Sequence, residues 1–204
     1  MKRFVWGLSA LLGCGVPVMA FASGQALFES RCQACHQGNA GGNEAMKAPA
    51  LAGLSSEYLA LQLRHFREGV RGAASSDVEG QVMAGMAKGL DEEQIKALSE
   101  YLAGLPQVMA PRPAAPEGFA ARGTYSSCSS CHGAGAEGVE SLGAPRLAGQ
   151  HSWYIKAQLE KFRKGVRGAH EQDERGQQMR QMALAIPSDA AIETLVRYIG
   201  QQGR

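Results

Sequence analysis

The chain lacks the features of several broad protein classes. It has only five cysteines in 204 residues, and aromatic side chains make up 6% of it. The 21 basic and 19 acidic side chains leave a formal charge of +2, which gives nucleic-acid binding no support. After the first 22 residues no segment is apolar enough to span a bilayer. The sequence therefore predicts a protein with no membrane span after residue 22 and no DNA or RNA partner.

A secretory signal peptide is predicted over residues 1–22. Two basic residues and an apolar run precede an A-x-A pattern that ends at Ala22, so the mature chain is expected to begin at Ser23 in the periplasm. Two alternatives stay open. The leader could be retained as an anchor, or Cys14 could be acylated, and either would give loose membrane association.

The four cysteines outside the leader all belong to two C-x-x-C-H motifs, which are Cys32, Cys35 and His36, then Cys128, Cys131 and His132. Two thiols one helical turn apart can each form a thioether with a haem vinyl group, and the adjoining histidine is then held beside the iron. A thioredoxin-like dithiol or a four-cysteine zinc site would not need a histidine at this position. The motifs predict two haem c groups and leave no thiol for a disulfide.

An internal duplication organises the mature chain. The second motif follows the first by 96 residues, and the same offset aligns residues 66–72 with residues 162–168. Each copy predicts three helices, near 25–34, 55–69 and 91–104 in the first copy. In the second copy they are expected near 119–130, near 152–164 and around Ile192, Leu195 and Tyr198. We therefore expect an all-α fold with two tandem domains, 23–104 and 119–204. A proline-rich linker, 105–118, connects them.

Charge divides unequally between the two copies. Residues 23–110 hold 7 basic and 10 acidic side chains, and residues 111–204 hold 12 and 9, for formal charges of −3 and +3. This lengthwise dipole either orients the protein toward a redox partner or reflects drift of surface residues.

Methionine is the candidate for the second axial ligand of each iron. Met83 and Met179 recur at the same distance after the two motif histidines, and so do Met86 and Met182. Spacing alone leaves the choice within each pair open. The other histidines do not recur, so we expect surface or helix-packing roles for His65, His151 and His170.

Two further pairs are candidates for supporting roles. Pro49 and Pro145 each lie 13 residues after a motif histidine, where a backbone carbonyl can accept the ring N–H, although a proline that stiffens the loop explains the spacing equally well. Arg71 and Arg167 follow the second helix of each copy and are expected either to pair with haem propionates or to be solvated.

These features together resemble the cytochrome c4 family of dihaem class I cytochromes c. The resemblance covers the mature chain and rests on the paired motifs, on the A-P-x-L-A-G segments 48–53 and 144–149, and on the F-R-x-G-x-R turns. It implies two class I domains, each wrapped around a covalent haem, with histidine and methionine on each iron. It favours Met83 and Met179 over Met86 and Met182, and it implies that Pro49 and Pro145 supply the carbonyl partners.

The predicted function is a periplasmic dihaem electron carrier, expected to be a monomer and not an enzyme. It would accept electrons from a respiratory donor and pass them to a terminal oxidase or a similar acceptor. The alternative is a cytochrome subunit of a periplasmic dehydrogenase, such as a flavocytochrome c sulfide dehydrogenase. Catalysis or sensing at the haem would require an open iron, which the repeated methionines disfavour.

Overall fold

The computed structural model describes residues 23–116 and 120–203, and the regular secondary structure of these parts is helical apart from two isolated β-bridges. The predicted leader, with Cys14, lies outside the described residues. The first copy contains α1 (Gly24–Arg31), α2 (Gln33–His36), α3 (Ser56–Arg67), α4 (Val78–Ala87) and α5 (Glu92–Gly104). The second contains α6 (Ala120–His132), a 3₁₀ turn (Glu140–Leu142), α7 (Ser152–Arg163), α8 (Glu174–Leu184) and α9 (Asp189–Ile199).

Side-chain caps fix where several helices begin. Ser23 and Ser55 accept hydrogen bonds from backbone N–H groups of the first turns of α1 and α3. Asp91 and Gln94 form a reciprocal capping box at the start of α5. Ser188 caps α9, the counterpart of α5. The helices that were predicted to start near residues 55 and 91 therefore begin at these capping residues.

Helices α4 and α8 were not among the predicted helices. Each starts at an aspartate, Asp77 or Asp173, whose carboxylate accepts a hydrogen bond from a glycine N–H in the first turn. Their apolar residues do not form one buried stripe, because Val78 and Val82 of α4 are 64% and 59% exposed. Packing against α3 and α7 places these two helices, which explains why periodicity did not reveal them.

Each copy has its own hydrophobic core. Helix α1 packs across α5 in the first copy, and α6 packs across α9 in the second. Ile95 and Leu102 are fully buried in the first core, and Ile192 and Leu195 occupy the second. Burying one such side chain contributes about 1.5–3 kcal/mol. The two cores are separate, as expected for two domains.

Residues 105–116 form neither helix nor strand. The Ala110 N–H donates to the carbonyl of Gly149, and the Gln107 amide donates to the carbonyl of Ala148. Val108 packs against the first core. The segment therefore lies against both domains, and the predicted division into 23–104, 105–118 and 119–204 stays a prediction.

None of the helices within 23–116 and 120–203 is long and apolar enough to cross a membrane.

Candidate functional site

The motif cysteines lie at the end of the first helix of each domain. Cys32 terminates α1, and its carbonyl accepts from the N–H groups of both Cys35 and His36, so the motif forms a single helical turn. In the second domain, Cys128, Cys131 and His132 end the continuous helix α6. None of these four cysteines forms a disulfide. The two thiols of each motif therefore sit one turn apart, as attachment to two vinyl groups requires.

The alternatives to haem attachment find little support in this geometry. Burial raises the pKa of the Cys32 and Cys128 thiols, whereas a reactive dithiol needs a lowered pKa. Within the described residues, histidine, cysteine and carboxylate side chains form no group of three or more that could hold a metal ion. The motif cysteines are therefore not gathered into a zinc site.

The motif histidines are buried and held by a backbone carbonyl. His36 and His132 are each 4% exposed, and their Nδ1 atoms lie 2.9 Å and 2.8 Å from the carbonyl oxygens of Pro49 and Pro145. A carbonyl can only accept, so Nδ1 carries the proton and Nε2 keeps the lone pair that a metal needs. Burial lowers the pKa of both imidazoles, which keeps them neutral.

The two methionines of each pair differ in environment. Met83 packs against the first core together with Cys32, and Met179 packs against the second core together with Cys128. Met86 and Met182 are 40% and 39% exposed. An iron ligand must face the same interior as the motif cysteines, so burial favours Met83 and Met179 as candidates.

Arg71 and Arg167 lie in a hydrogen-bonded group between the domains, which we call the arginine cluster. Its members are Tyr58, Gln62 and Arg71 from the first domain and Tyr154, Gln158 and Arg167 from the second. Arg71 donates to Gln62, Tyr154 and Gln158, and Arg167 donates to Gln158, Tyr58 and Gln62, over 2.7–3.3 Å. Each guanidinium also stacks on a phenylalanine ring, Phe66 or Phe162.

The arginine cluster is buried and strongly basic in character. Arg71 and Arg167 are 8% and 9% exposed. Although burial acts to raise the pKa of Tyr154, the two neighbouring guanidinium groups lower it below its usual range. The proposed pairing with propionates stays a prediction, but the Nη groups of both arginines have clear partners across the domain interface.

The residues present fit two haem c groups. Each domain offers two cysteines one turn apart, an imidazole whose Nε2 keeps its lone pair, and a thioether packed against an apolar core. The Nε atom of Arg167 is also buried, without an acceptor in the described part of the chain, and a carboxylate would suit it.

Comparison with known proteins agrees with this chemistry. The cytochrome c family model matches residues 21–106 and again residues 120–203. A thiosulfate dehydrogenase electron acceptor of Thiomonas intermedia (strain K12) is 38% identical over 182 residues, which cover 84% of this chain and 78% of that protein. A cytochrome c4 of Stutzerimonas stutzeri is 32% identical over 206 residues, which cover 94% of this chain and 96% of that protein.

Solved structures give the same result. Reduced recombinant cytochrome c4 from Pseudomonas stutzeri superimposes with a TM-score of 0.69 at 25% identity, covering 88% of this chain and 97% of that one. Thiosulfate dehydrogenase (TsdBA) from Marichromatium purpuratum superimposes with a TM-score of 0.72 at 30% identity. That match covers 88% of this chain but only 40% of the longer chain.

The fold and the paired motifs define a tandem class I cytochrome c, an all-helical protein that carries two haem c groups. It is an electron carrier and not a catalyst. Within the cytochrome c family, the chain belongs to the dihaem group that contains cytochrome c4 and the thiosulfate dehydrogenase electron acceptors.

Sequence reasoning overlooked the contacts between the domains. Tyr58 and Gln62 are one turn apart on α3, and both recur 96 residues later, on α7. Polar residues that recur on one helix face in both copies were the available signal.

His65, expected on the surface or in helix packing, is buried against Asp173 of the other domain, and His151 contacts the carbonyl of Gly41.

Proposed function

We propose that this chain is a periplasmic electron carrier with both irons held between protein ligands. His36 and Met83 would bind the iron of the first domain, and His132 and Met179 the iron of the second. The observation that carries this proposal is that each domain holds an imidazole hydrogen-bonded to a proline carbonyl and a methionine that packs, like a motif cysteine, against the core of that domain.

The side chains perform defined tasks in this scheme. Haem c, when bound, supplies a one-electron iron couple. The Pro49 and Pro145 carbonyls orient the imidazoles and increase their basicity through the Nδ1–H bond. The thioethers of Met83 and Met179 would favour the reduced state of a bound haem and so raise its reduction potential. With an imidazole and a thioether both supplied by the protein, each haem would be suited to electron exchange and not to binding small molecules.

The electron donor is proposed from the relatives. Proteins named as thiosulfate dehydrogenase electron acceptors include one that is 38% identical, and a second is 29% identical over 224 residues that cover 100% of this chain. We propose a periplasmic thiosulfate dehydrogenase as the donor and a terminal oxidase or similar complex as the acceptor. A general respiratory carrier fed by another donor is the second candidate, since cytochromes c4 are 29–33% identical to this chain.

The ligand assignment is tested by replacing each methionine of a pair. In holoprotein, Met83→Ala should abolish the methionine-to-iron charge-transfer band of one ferric haem and let the ferrous haem bind carbon monoxide. Met86→Ala is the matched control, one turn further along the exposed part of α4, and should change neither signal. Met179→Ala and Met182→Ala repeat the comparison in the second domain. Loss of the band in the Met86 variant alone would reverse the assignment.

The donor is tested by rapid mixing. Oxidised holoprotein should be reduced by a purified thiosulfate dehydrogenase only when thiosulfate is present, with both haems reduced in each molecule. Reduction by the membrane quinol-oxidising complex, together with no reduction by the dehydrogenase, would favour the general carrier. Binding of carbon monoxide by unmodified protein would contradict the carrier proposal itself.

A further inference from the structure

Arg31 joins the haem-attachment turn of the first domain to the helix that carries its two candidate methionines. It is the last residue of α1 and directly precedes Cys32. Its Nη2 donates to the carbonyl oxygen of Met86 in α4, over 3.2 Å. The same nitrogen lies 3.5 Å from the position that a Cβ on Gly89 would take, just after α4. The guanidinium therefore lies against the C-terminal end of α4.

The Met86 carbonyl is available for this bond because of how α4 ends. The last carbonyl groups of an α-helix have no N–H partner within the helix. The Leu90 N–H, four residues after Met86, donates to the carbonyl of Ala87 instead. The last turn of α4 has no basic residue of its own. Arg31 therefore supplies both a hydrogen-bond donor and a positive charge at the end of the helix where the dipole is negative.

The hydrogen bond from Arg31 affects the candidate iron ligand because Met83 lies one turn before Met86 in the same helix. Helix α4 packs against α3, whereas the motif cysteines follow α1. Met83 and Cys32 pack against the same core. Arg31 thus connects the element that holds the haem to the element that holds the sulfur donor, and their separation decides whether the thioether can reach the iron.

The second domain has a serine at the equivalent position. Ser127 is the counterpart of Arg31 at the repeat offset of 96, and Met182 of α8 is the counterpart of Met86. The Ser127 hydroxyl donates within its own helix, to the carbonyl of Thr124 over 3.4 Å. The hydrogen bond between the motif helix and the end of the methionine helix is therefore a feature of the first domain, and the duplication provides an internal comparison.

We propose that Arg31 is a positioning residue for the bond between Met83 and the iron of the first domain. It holds the C-terminal end of α4 against the motif turn and so keeps the thioether within reach of a haem attached at Cys32 and Cys35. This inference rests on the proposed ligation by Met83 and assigns a role to a residue outside the ligand set. Without the hydrogen bond, α4 moves more freely and the methionine leaves the iron more often.

The test measures the apparent affinity of imidazole for each ferric haem of the holoprotein. Imidazole binds only where the methionine has left the iron, so its apparent affinity is proportional to the population of that open state. NMR signals of the haem methyl groups, assigned with the Met83→Ala and Met179→Ala variants, distinguish the two haems. Each domain is therefore measured separately in one sample.

Three variants separate the hydrogen bond from the charge. Arg31→Leu removes both, so imidazole should bind the first haem roughly fivefold or more tightly and the second haem as before. Arg31→Lys keeps a charged donor and should restore most of the difference. Lys88→Gln is the matched control, because it removes an exposed cation just after α4 and leaves the Met86 carbonyl bonded. Its effect should be about twofold or less.

NMR of the unmodified holoprotein is a second measurement that needs no variant to fold. A charge-assisted hydrogen bond from Nη2 slows rotation of the guanidinium, so the Nη protons of Arg31 should give separate signals.

Each outcome decides the proposal. An unchanged imidazole affinity in Arg31→Leu, or an equal increase at both haems, would overturn it, and so would a freely rotating Arg31 guanidinium. An equal increase in Lys88→Gln would make the effect one of charge alone and would also overturn it. If Met83→Ala keeps the methionine-to-iron band of the first haem, the ligand assignment fails and this inference fails with it. If that band is lost and the Arg31 variants behave like the unmodified protein, only this inference fails.

Discussion

Replacing Asp77 by asparagine should destabilise the first domain and its contact with the second. Asp77 is 2% exposed, and its carboxylate both caps α4 through the Gly80 N–H and binds Lys161 of the other domain. Asparagine is an equally good helix cap, so Asp77→Asn preserves the first interaction and removes the negative charge from the second. The variant thus isolates the electrostatic part of the contact.

The magnitude follows from the environment of Lys161. Removing one partner of a buried ion pair costs about 3–5 kcal/mol because the remaining charge is left uncompensated. Lys161 keeps Glu79, and its side chain is 18% exposed, so part of that cost is avoided. We expect a loss of about 2 kcal/mol, equivalent to a decrease of roughly 8–16 °C in the Tm of a domain of this size. Asp77→Ala should lose about 1 kcal/mol more, because it also removes the cap.

The duplication supplies the matched control. Asp173→Asn makes the same change at the equivalent cap of α8. Asp173 faces the His65 imidazole at 3.6 Å, whereas Asp77 binds the Lys161 ammonium. At about pH 7.5 the cost of Asp173→Asn should be about 1 kcal/mol or less. Denaturant unfolding of the holoproteins, followed by haem absorbance and far-ultraviolet circular dichroism, measures all three variants. Equal destabilisation by the Asp77 and Asp173 variants would refute the assigned difference between the two ion pairs.

Two further predictions concern the fit of the backbone and the polar contacts between domains. A Cβ on Gly80 would lie 2.1 Å from the Asp77 carboxylate, so Gly80→Ala should destabilise the protein by more than about 2 kcal/mol. Gly85 is in the same helix with nothing within 4 Å of its Cβ position, so Gly85→Ala should stabilise the protein by up to about 1 kcal/mol. Thermal unfolding of both variants measures these effects, and a similar effect at the two sites would contradict the prediction. Gln150→Leu removes the two hydrogen bonds between the Gln150 amide and the Ala50 backbone. It should lower the free energy of unfolding by about 1–2 kcal/mol and speed hydrogen exchange of the Ala50 amide. An unchanged exchange rate would contradict the contact.

The fold was largely predictable because both copies of the duplication carry the same haem-attachment motif and similar apolar spacing in their helices. The C-x-x-C-H motifs identified the ends of α1 and α6, and the caps at Ser55 and Asp91 located α3 and α5. Helix α4 was not predicted because its placement comes from contacts with α3, and three of its apolar residues, Val78, Val82 and Met86, are exposed. Local periodicity carries no information about that kind of helix.

The candidate site was predictable in its chemistry and less so in its surroundings. Residue spacing identified the motif histidines as candidate ligands and reduced the candidate sulfur ligands to two pairs of methionines. The choice within a pair depends on the burial of Met83 relative to Met86, which is a property of the tertiary structure and does not follow from spacing. The contact of His65 with Asp173 joins residues of different domains, so no pattern within one copy could reveal it. The alignment of the two copies already placed Lys161 at the position equivalent to His65. The contacts that these two residues make depend on where the other domain lies, which the alignment does not show.

The contacts within the arginine cluster follow an approximate twofold symmetry. Arg71 reaches Tyr154 and Gln158 of the second domain, and Arg167 reaches Tyr58 and Gln62 of the first, so every contact is matched by its exchange of partners. This reciprocity is what a symmetric homodimer builds from one surface patch. The interface therefore has the reciprocal pattern of a homodimer interface, although both halves belong to one polypeptide. Two halves of one chain need not match at every position, and His65 accordingly stands opposite Asp173 where Lys161 stands opposite Asp77.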